Sequence, residues 1–353
     1  MNRRDVLRVA GSGSLVGLAG CAGLFETQSA QAPPLPENRP DAVYYPTHYE
    51  GMKMPGMKEQ GGYRCALTYS YAHRFWLMKP NGITKVEIQS EDSIHLMPVV
   101  WETHTGIIPP DINPQLTITQ SGDSIDQFAP WPMLSQPMGF HFGDNAQLKG
   151  DGTYTVEVSI GGPSTRRTGS LAENQGNASF TFEFEFSEST LNEISYTDIP
   201  DDREGTKGAV DLMDMEMLPS SQVPTPDALP GDVRGSGTSG DAKFVVTILE
   251  DASRFGGDEN QRYLAVSPRT PYNRTMLPMM SLSGTLHRDG TSVFDGILQA
   301  TIDPELRYHY GATVADVRTG DELTITVDSP PQTARHEGYE TAFVDMPDVQ
   351  VTL

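Results

Sequence analysis

The sequence predicts an all-β protein made of two β-sandwich domains joined by an acidic, flexible linker. First, short runs rich in Val, Ile, Thr and Tyr are bounded by Gly, Pro, Asn and Asp, which is typical of strands in packed sheets. Second, a length of 353 residues exceeds one typical domain. Third, a Pro-Met cluster followed by His between two aromatic residues and then Gly occurs twice, in residues 131–145 and 276–311.

The N-terminus has the features of an export signal. Arg3 and Arg4 precede a short, weakly apolar, Gly-rich run that ends at Cys21. Paired arginines indicate twin-arginine export, and the small residues before Cys21 indicate a lipoprotein cleavage site. The run is shorter than the ~20 apolar residues of a spanning helix. We therefore expect a signal peptide over 1–20, lipidation of Cys21 and a tether over 21–41, which together place the protein at the extracytoplasmic face of the cell membrane.

The chain is strongly acidic, with 47 Asp and Glu against 25 Lys and Arg and a formal charge of −22. This charge argues against nucleic acid as a partner. An acidic, lysine-poor composition is typical of proteins from salt-rich cells, so we expect a haloarchaeal source. Once Cys21 is lipidated, Cys65 is left without a disulfide partner, and we expect it to be buried as a small apolar residue.

Residues 42–190 are predicted to form the first sandwich. Alternation of apolar and polar residues is clearest in 153–160 and 178–186, where one face of each strand is expected to be buried. The predicted strands of this domain are 63–71, 84–89, 94–101, 115–119, 153–160 and 178–186.

The composition changes over residues 191–240, which are rich in Asp, Pro, Ser and Gly and are predicted to be the linker. Residues 241–353 are predicted to form the second sandwich. Its expected strands are 242–249, 263–267, 277–284, 296–302, 322–327 and 349–353.

The first Pro-Met cluster points to a metal site. Met133, Met138 and His141 lie within a short stretch, and His95 on an upstream strand is the partner that this set needs. Imidazole binds copper, iron and zinc, and thioethers favour Cu(I). Each histidine could instead donate a hydrogen bond to a backbone carbonyl and serve only the core. His48, His104 and Met97 are further candidates.

The second cluster offers Met279 or Met280, His309 and His336 as a second candidate set. The sequence is compatible with a complete site in each half and with one site shared by both halves. The sequence has no nucleophile elbow, phosphate-binding loop, dinucleotide fingerprint or His-Glu-x-x-His motif, so we expect a protein that is not an enzyme.

At His141-Phe-Gly-Asp-Asn145 and Tyr308-His309-Tyr-Gly-Ala312 the chain resembles a family of extracytoplasmic iron-transport-associated proteins encoded with a ferrous-iron permease. The resemblance implies immunoglobulin-like sandwiches, copper binding and a role in iron uptake. In the first half Met97 replaces the family's Glu, and Arg166-Arg167 stands where the family has Arg-His. In the second half Arg335-His336 matches that motif, but an upstream His-x-Glu is missing.

The expected function is therefore that of a lipid-anchored metal-binding protein, with copper or iron as the ion and a metal permease as partner. Association as a homodimer is a further expectation. The alternative is a cell-surface structural or interaction module that binds no metal. The sequence argues against a third hypothesis, a cupredoxin-type electron carrier. Such sites need a Cys ligand near His and Met, and Cys65 has only His73 nearby in the sequence.

Overall fold

The computed structural model describes residues 33–80, 82–173 and 176–353. Extended segments dominate them, which confirms the predicted all-β class. The strands of the first half are β1 (His48–Glu50), β2 (Lys53–Gln60), β3 (Tyr63–Tyr71), β4 (Phe75–Lys79), β5 (Gly82–Val86), β6 (Asp92–Glu102), β7 (Gln115–Gln120), β8 (Asp123–Phe128), β9 (Trp131–Ser135), β10 (Gly139–Gln147), β11 (Gly152–Ile160), β12 (Arg166–Arg167) and β13 (Ala178–Phe186).

The remaining strands are β14 (Tyr196–Asp198), β15 (Asp232–Ser239), β16 (Ala242–Leu249), β17 (Arg262–Arg269), β18 (Ser281–Arg288), β19 (Thr291–Asp303), β20 (Arg307–Val314), β21 (Glu322–Ser329), β22 (Ala334–Arg335) and β23 (Val349–Thr352). One short helix, α1 (Glu188–Leu191), begins after Ser187, whose side chain accepts a hydrogen bond from the Thr190 N–H. Single 3-10 turns occur at Gly169–Glu173, Pro226–Ala228 and Ser253–Phe255.

The first half is a sandwich of two sheets. One sheet has the order β2-β3-β6-β10-β9-β22-β4-β5, and the other has the order β13-β11-β7-β8. The alternating phenylalanines of β13 form the buried face of the small sheet, and the Phe184 ring lies 5.7 Å from the Tyr69 ring of the large one. Cys65 is fully buried in this core, as expected.

The second half is a single curled sheet in the order β15-β16-β17-β20-β19-β18-β21-β23. Its two end strands approach each other closely. A Cβ added at Gly237 of β15 would lie 2.3 Å from Val349 Cγ1 of β23, so glycine is needed where the strands pass. The curl buries Phe244, Leu264 and Ile325 in its interior.

The two halves exchange strands. β22, from the C-terminal segment, lies in the first sheet, parallel to β9 and antiparallel to β4. In return β12, from the first half, pairs in parallel with β19 of the second sheet. Each sheet is therefore completed by two residues from the other half of the chain.

The segment 191–240, which its composition predicts to be a flexible linker, is instead packed against both halves. Tyr196–Asp198 pairs with β1, and the Met213 N–H donates to Pro137 O at 2.8 Å. The Val223 N–H donates to Arg274 O at 3.0 Å, and the Val223 side chain is buried. Backbone hydrogen bonds and a few buried apolar residues order this segment in spite of its polar composition. Residues 34–353 form one compact unit.

The predicted signal peptide over 1–20, the lipidated Cys21 and most of the tether over 21–41 lie outside the described residues. Within the described residues, no helix is long and apolar enough to cross a membrane.

Candidate metal centre

His95 and His141 are brought to one face of the large sheet by three neighbouring strands. β10 pairs with β6, where Asn145 lies opposite His95, and with β9, where Met133 lies opposite His141. Side chains two residues apart on a strand share a face, and directly opposed residues share it too. His141, Gly143 and Asn145 therefore face the same side as His95 and Met133.

Gly143 leaves room for the His95 ring on that face. A Cβ added at Gly143 would lie 2.5 Å from His95 Nε2 and 3.2 Å from Met97 Cγ. The glycine of the His-Phe-Gly motif is thus required by a close side-chain approach from the neighbouring strand, and its backbone does not adopt a positive φ.

Two further histidines reach the same place from other parts of the chain. His336 directly follows β22, and its N–H donates to Leu134 O of β9 at 2.9 Å. His73 lies between β3 and β4. Asn145 holds it by accepting from the His73 N–H at 3.3 Å and donating to His73 O at 3.0 Å.

These four residues, His73, His95, His141 and His336, form the four-histidine cluster. One nitrogen from each of His73, His95 and His336 lies within 4.8 Å of the other two. The His73 ring stacks on His95 with centroids 4.0 Å apart, and the His141 ring lies 5.1 Å from His336. Three imidazoles are close enough to share one ion, and the fourth lies beside them.

The Nε2 atoms of all four histidines are buried and have no hydrogen-bond partner. Two of the rings have their other nitrogen occupied. His95 Nδ1 lies 2.9 Å from Asn145 Oδ1, and His141 Nδ1 lies 3.3 Å from Gly139 O. Because these oxygens accept, Nδ1 carries the proton and Nε2 keeps its lone pair. Buried polar atoms are rarely left unpaired, so these four nitrogens are available as ligands for a cation.

Burial keeps His95, His141 and His336 uncharged at neutral pH. Burial lowers the pKa of His141 to about 4. Burial, and then the neighbouring imidazoles, hold the pKa values of His95 and His336 well below their usual range. Neutral imidazole is the form that binds metal ions, so these three rings need no proton loss before an ion enters.

The predicted methionines divide between the cluster and the core. Met133 is fully buried against Phe75 and Ala334, directly opposite His141. Met97 and Met138 both pack in the main hydrophobic core, and of these two Met97 lies on the strand face that carries His95. Met97 and Met133 therefore lie on the histidine-bearing face of the sheet, where thioethers are available as copper donors.

Residues 57–189 match a family described as Fe2+ transport protein. Residues 227–352 match a domain family of unknown function. His73, His95 and His141 lie in the first match and His336 lies in the second, so the cluster spans both. No curated protein sequence matches the chain significantly.

Solved structures similar to this chain include FetP from uropathogenic Escherichia coli. A copper-bound variant of FetP is 20% identical, covers 38% of this chain and 97% of that chain, and has a TM-score of 0.31. FetP as isolated after expression in the periplasm is 19% identical, covers 40% of this chain and 96% of that chain, and has a TM-score of 0.30.

The second half repeats the strand arrangement with different side chains. Thr313 of β20 lies opposite Tyr263 of β17, as Asn145 lies opposite His95. A Cβ added at Gly311 would lie 2.3 Å from Tyr263 Oη. Tyr263 thus takes the position of His95, with the same close glycine contact.

His309 takes the position that corresponds to His141, but both of its nitrogens have partners. Nε2 lies 3.1 Å from Tyr263 Oη, and Nδ1 lies 3.0 Å from Arg307 O. In the described part of the chain, no three-residue ligand group includes His309. Met279 is partly buried, and its N–H lies 3.4 Å from Tyr308 Oη. The predicted set Met279, His309 and His336 is therefore not brought together, since His336 lies with His95 and His141.

An arginine fills the corresponding space in the second half. Arg166 of the exchanged strand β12 donates to Tyr263 Oη at 2.9 Å, Thr301 Oγ1 at 3.0 Å and Phe255 O at 3.1 Å. In the first half the equivalent position of β22 is Ala334, whose small side chain packs against Phe75 and Met133. The second half therefore has the Arg166 guanidinium at the place where the first half has imidazoles whose Nε2 atoms lack hydrogen-bond partners.

His73 was not predicted from the sequence as a site residue, and His336 was predicted to belong to the second half. His73 lies in a short connection without any motif. A two-residue strand such as β22 has no periodicity that could indicate the sheet it joins. The available signal was the Arg335-His336 pair, which is the motif that the first half lacks.

Proposed function

We propose that this chain is a lipid-anchored, extracytoplasmic metal-binding protein that holds one copper ion at the four-histidine cluster and takes part in iron uptake. The observation that carries the proposal is a buried group of four histidines whose Nε2 atoms have no hydrogen-bond partner, three of which bring a ring nitrogen within 4.8 Å of one another. The match of residues 57–189 to a family described as Fe2+ transport protein supports the link to iron. A metal permease in the same membrane is the proposed partner.

Copper is favoured over iron by the ligand chemistry. The cluster offers neutral imidazoles, with the Met97 and Met133 thioethers on the same face, and three-residue ligand groups among the described residues include no carboxylate. Nitrogen and thioether donors suit copper in both oxidation states, whereas Fe(II) sites in proteins commonly include a carboxylate. One ion per chain is expected, because Arg166 fills the equivalent space in the second half.

The test is metal content and affinity of the exported protein, measured by elemental analysis and by competition with Cu(I), Cu(II) and Fe(II) chelators. His141→Ala and His336→Ala are each expected to weaken copper binding strongly. His309→Ala, the matched control in the second half, is expected to keep the same stoichiometry while losing stability. Binding that survives both His141→Ala and His336→Ala would sink the proposal and favour a structural module without metal. Sedimentation of the same samples tests the expected homodimer.

A further inference from the structure

Glu50 is a buried carboxylate beside the four-histidine cluster. Its Oε2 lies 3.6 Å from His73 Nδ1, and its Oε1 lies 3.5 Å from His48 Nε2. The side chain is 8% exposed. Ser70 Oγ donates to Oε2 at 2.8 Å, whereas Oε1 has no hydrogen-bond partner. A carboxylate in this setting needs positive charge or N–H donors nearby.

His73 lies between this carboxylate and the rest of the cluster. Its Nδ1 faces Glu50, its Nε2 is buried without a hydrogen-bond partner, and its ring stacks on His95 at 4.0 Å. The two nitrogens of one ring therefore have different surroundings, with an acid on one side and the imidazoles on the other.

We propose that Glu50 is a positioning residue for metal binding, which acts through His73. With its Oε2 3.6 Å from Nδ1, the carboxylate favours the tautomer in which Nδ1 carries the proton and Nε2 carries the lone pair, and it raises the basicity of Nε2. Its negative charge also offsets part of the cost of burying a cation among neutral ligands. The proposal rests on the proposed function and adds to it a residue from outside both matched regions of the chain.

The fold holds Glu50 in place through a separate two-stranded sheet. Glu50 ends β1 and lies opposite Tyr196 of β14, and the Gly51 N–H donates to Ser195 O at 2.8 Å. His48, two residues earlier on the same face, stacks on the Tyr196 ring at 4.6 Å. The segment 191–240 thus fixes the acid that faces the cluster.

Glu50→Gln in the full exported chain tests the role, since it keeps the shape and removes the charge. Cu(II) affinity is expected to fall by about 10- to 100-fold, the usual cost of losing a carboxylate behind a metal-bound histidine, with a changed Cu(II) paramagnetic resonance spectrum. Glu102→Gln is the matched control, because Glu102 contacts His104 Nδ1 at 3.0 Å and is not part of the cluster. The control is expected to bind copper as the wild type does.

A double-variant comparison separates positioning from a general effect on the fold. If Glu50 acts through His73, then Glu50→Gln is expected to add little to the loss caused by His73→Gln alone. The proposal would be overturned if the losses of copper affinity in the two single variants added up in the double variant, or if Glu50→Gln bound copper as the wild type does. It would also be overturned if the spectrum of Glu50→Gln showed the loss of an oxygen ligand, because Glu50 would then bind the metal directly. A wild-type chain that binds no metal would instead overturn the proposed function.

Discussion

At the scale of single residues, glycine decides how close a side chain from the next strand can come. Gly143 and Gly311 occupy equivalent positions, and an added Cβ would collide with His95 Nε2 at one and with Tyr263 Oη at the other. The repeated His-aromatic-Gly pattern is thus a packing requirement common to both halves. The pattern can serve a metal site only where the neighbouring side chains supply free lone pairs.

Gly143→Ala is expected to push His95 out of the cluster, because the new Cβ would meet its ring nitrogen at 2.5 Å. Overpacking of this kind costs about 1–3 kcal/mol of stability. Copper affinity is expected to fall with it. Chemical denaturation and copper competition on the same protein measure the two effects.

Gly311→Ala is the control for that experiment. Its Cβ would lie 2.3 Å from Tyr263 Oη and 2.7 Å from Leu264 O, so a comparable or larger loss of stability is expected. Copper binding should not change. Equal loss of copper affinity in both variants would mean that the effect of Gly143→Ala is only global.

The residues also show what sequence can predict about the site. His141 is predictable because it lies in the repeated motif, and His95 is predictable because of its place on an alternating strand. His73 and Glu50 are not, since their roles depend on a connection and a two-stranded sheet that only tertiary packing creates. The same limit applies to His309, whose motif matches that of His141 although Arg166 and Tyr263 surround it.

At the scale of elements, the exchanged strand β22 delivers His336 and is held by a buried arginine. Arg335 is fully buried, and its guanidinium donates to Ala342 O, to Pro331 O at 3.2 Å and to Phe343 O at 3.1 Å. Burial lowers the pKa of Arg335 to about 9, so it stays charged at neutral pH. Three carbonyls on one planar fork fix the segment that carries His336.

Arg335→Met is expected to cost about 3 kcal/mol, because it leaves buried carbonyls without a donor. It should also lower copper affinity by loosening His336. Arg166→Met, in the other exchanged strand, is expected to lose stability with unchanged copper affinity. Hydrogen exchange of residues around β22, together with copper competition, distinguishes the Arg335→Met variant from the Arg166→Met variant. A loss of copper affinity in Arg166→Met but not in Arg335→Met would contradict this account.

The strands themselves were largely predictable, since alternation in 153–160 and 178–186 identifies β11 and β13 closely. The exchange of β12 and β22 was not, because two residues carry no periodic signal. The order of residues 191–240 was missed for a related reason. Composition describes how much apolar surface a segment can bury, whereas this segment is held chiefly by backbone hydrogen bonds to both halves.

At the scale of the whole molecule, buried neutral histidines make stability depend on pH. The pKa of His141 is lowered by burial from its ordinary value of 6.5 to about 4. Between these values the unfolded chain binds a proton that the folded chain does not, so stability is fully present above pH 6.5 and falls as the pH drops towards 4. His141 alone accounts for about 3 kcal/mol over this window.

Urea denaturation of the metal-free protein at pH 7.5 and pH 4.5 measures this effect. The wild type is expected to lose stability on acidification, and His141→Leu is expected to lose less, because it has no imidazole to protonate at this position. Identical losses in the two proteins would show that His141 does not titrate in this window.

Because of the strand exchange, the four-histidine cluster can form only late in synthesis and folding of the chain. During synthesis His73, His95 and His141 are present long before residues 334–336 are added. Likewise, Arg74 can form its ion pair only after Glu337, 263 residues later in the chain, has been synthesised. A ribosome-bound fragment, or a chain clipped near its C-terminus, therefore offers an incomplete set of imidazoles. Full occupancy by metal would mark only those copies whose synthesis and folding were finished.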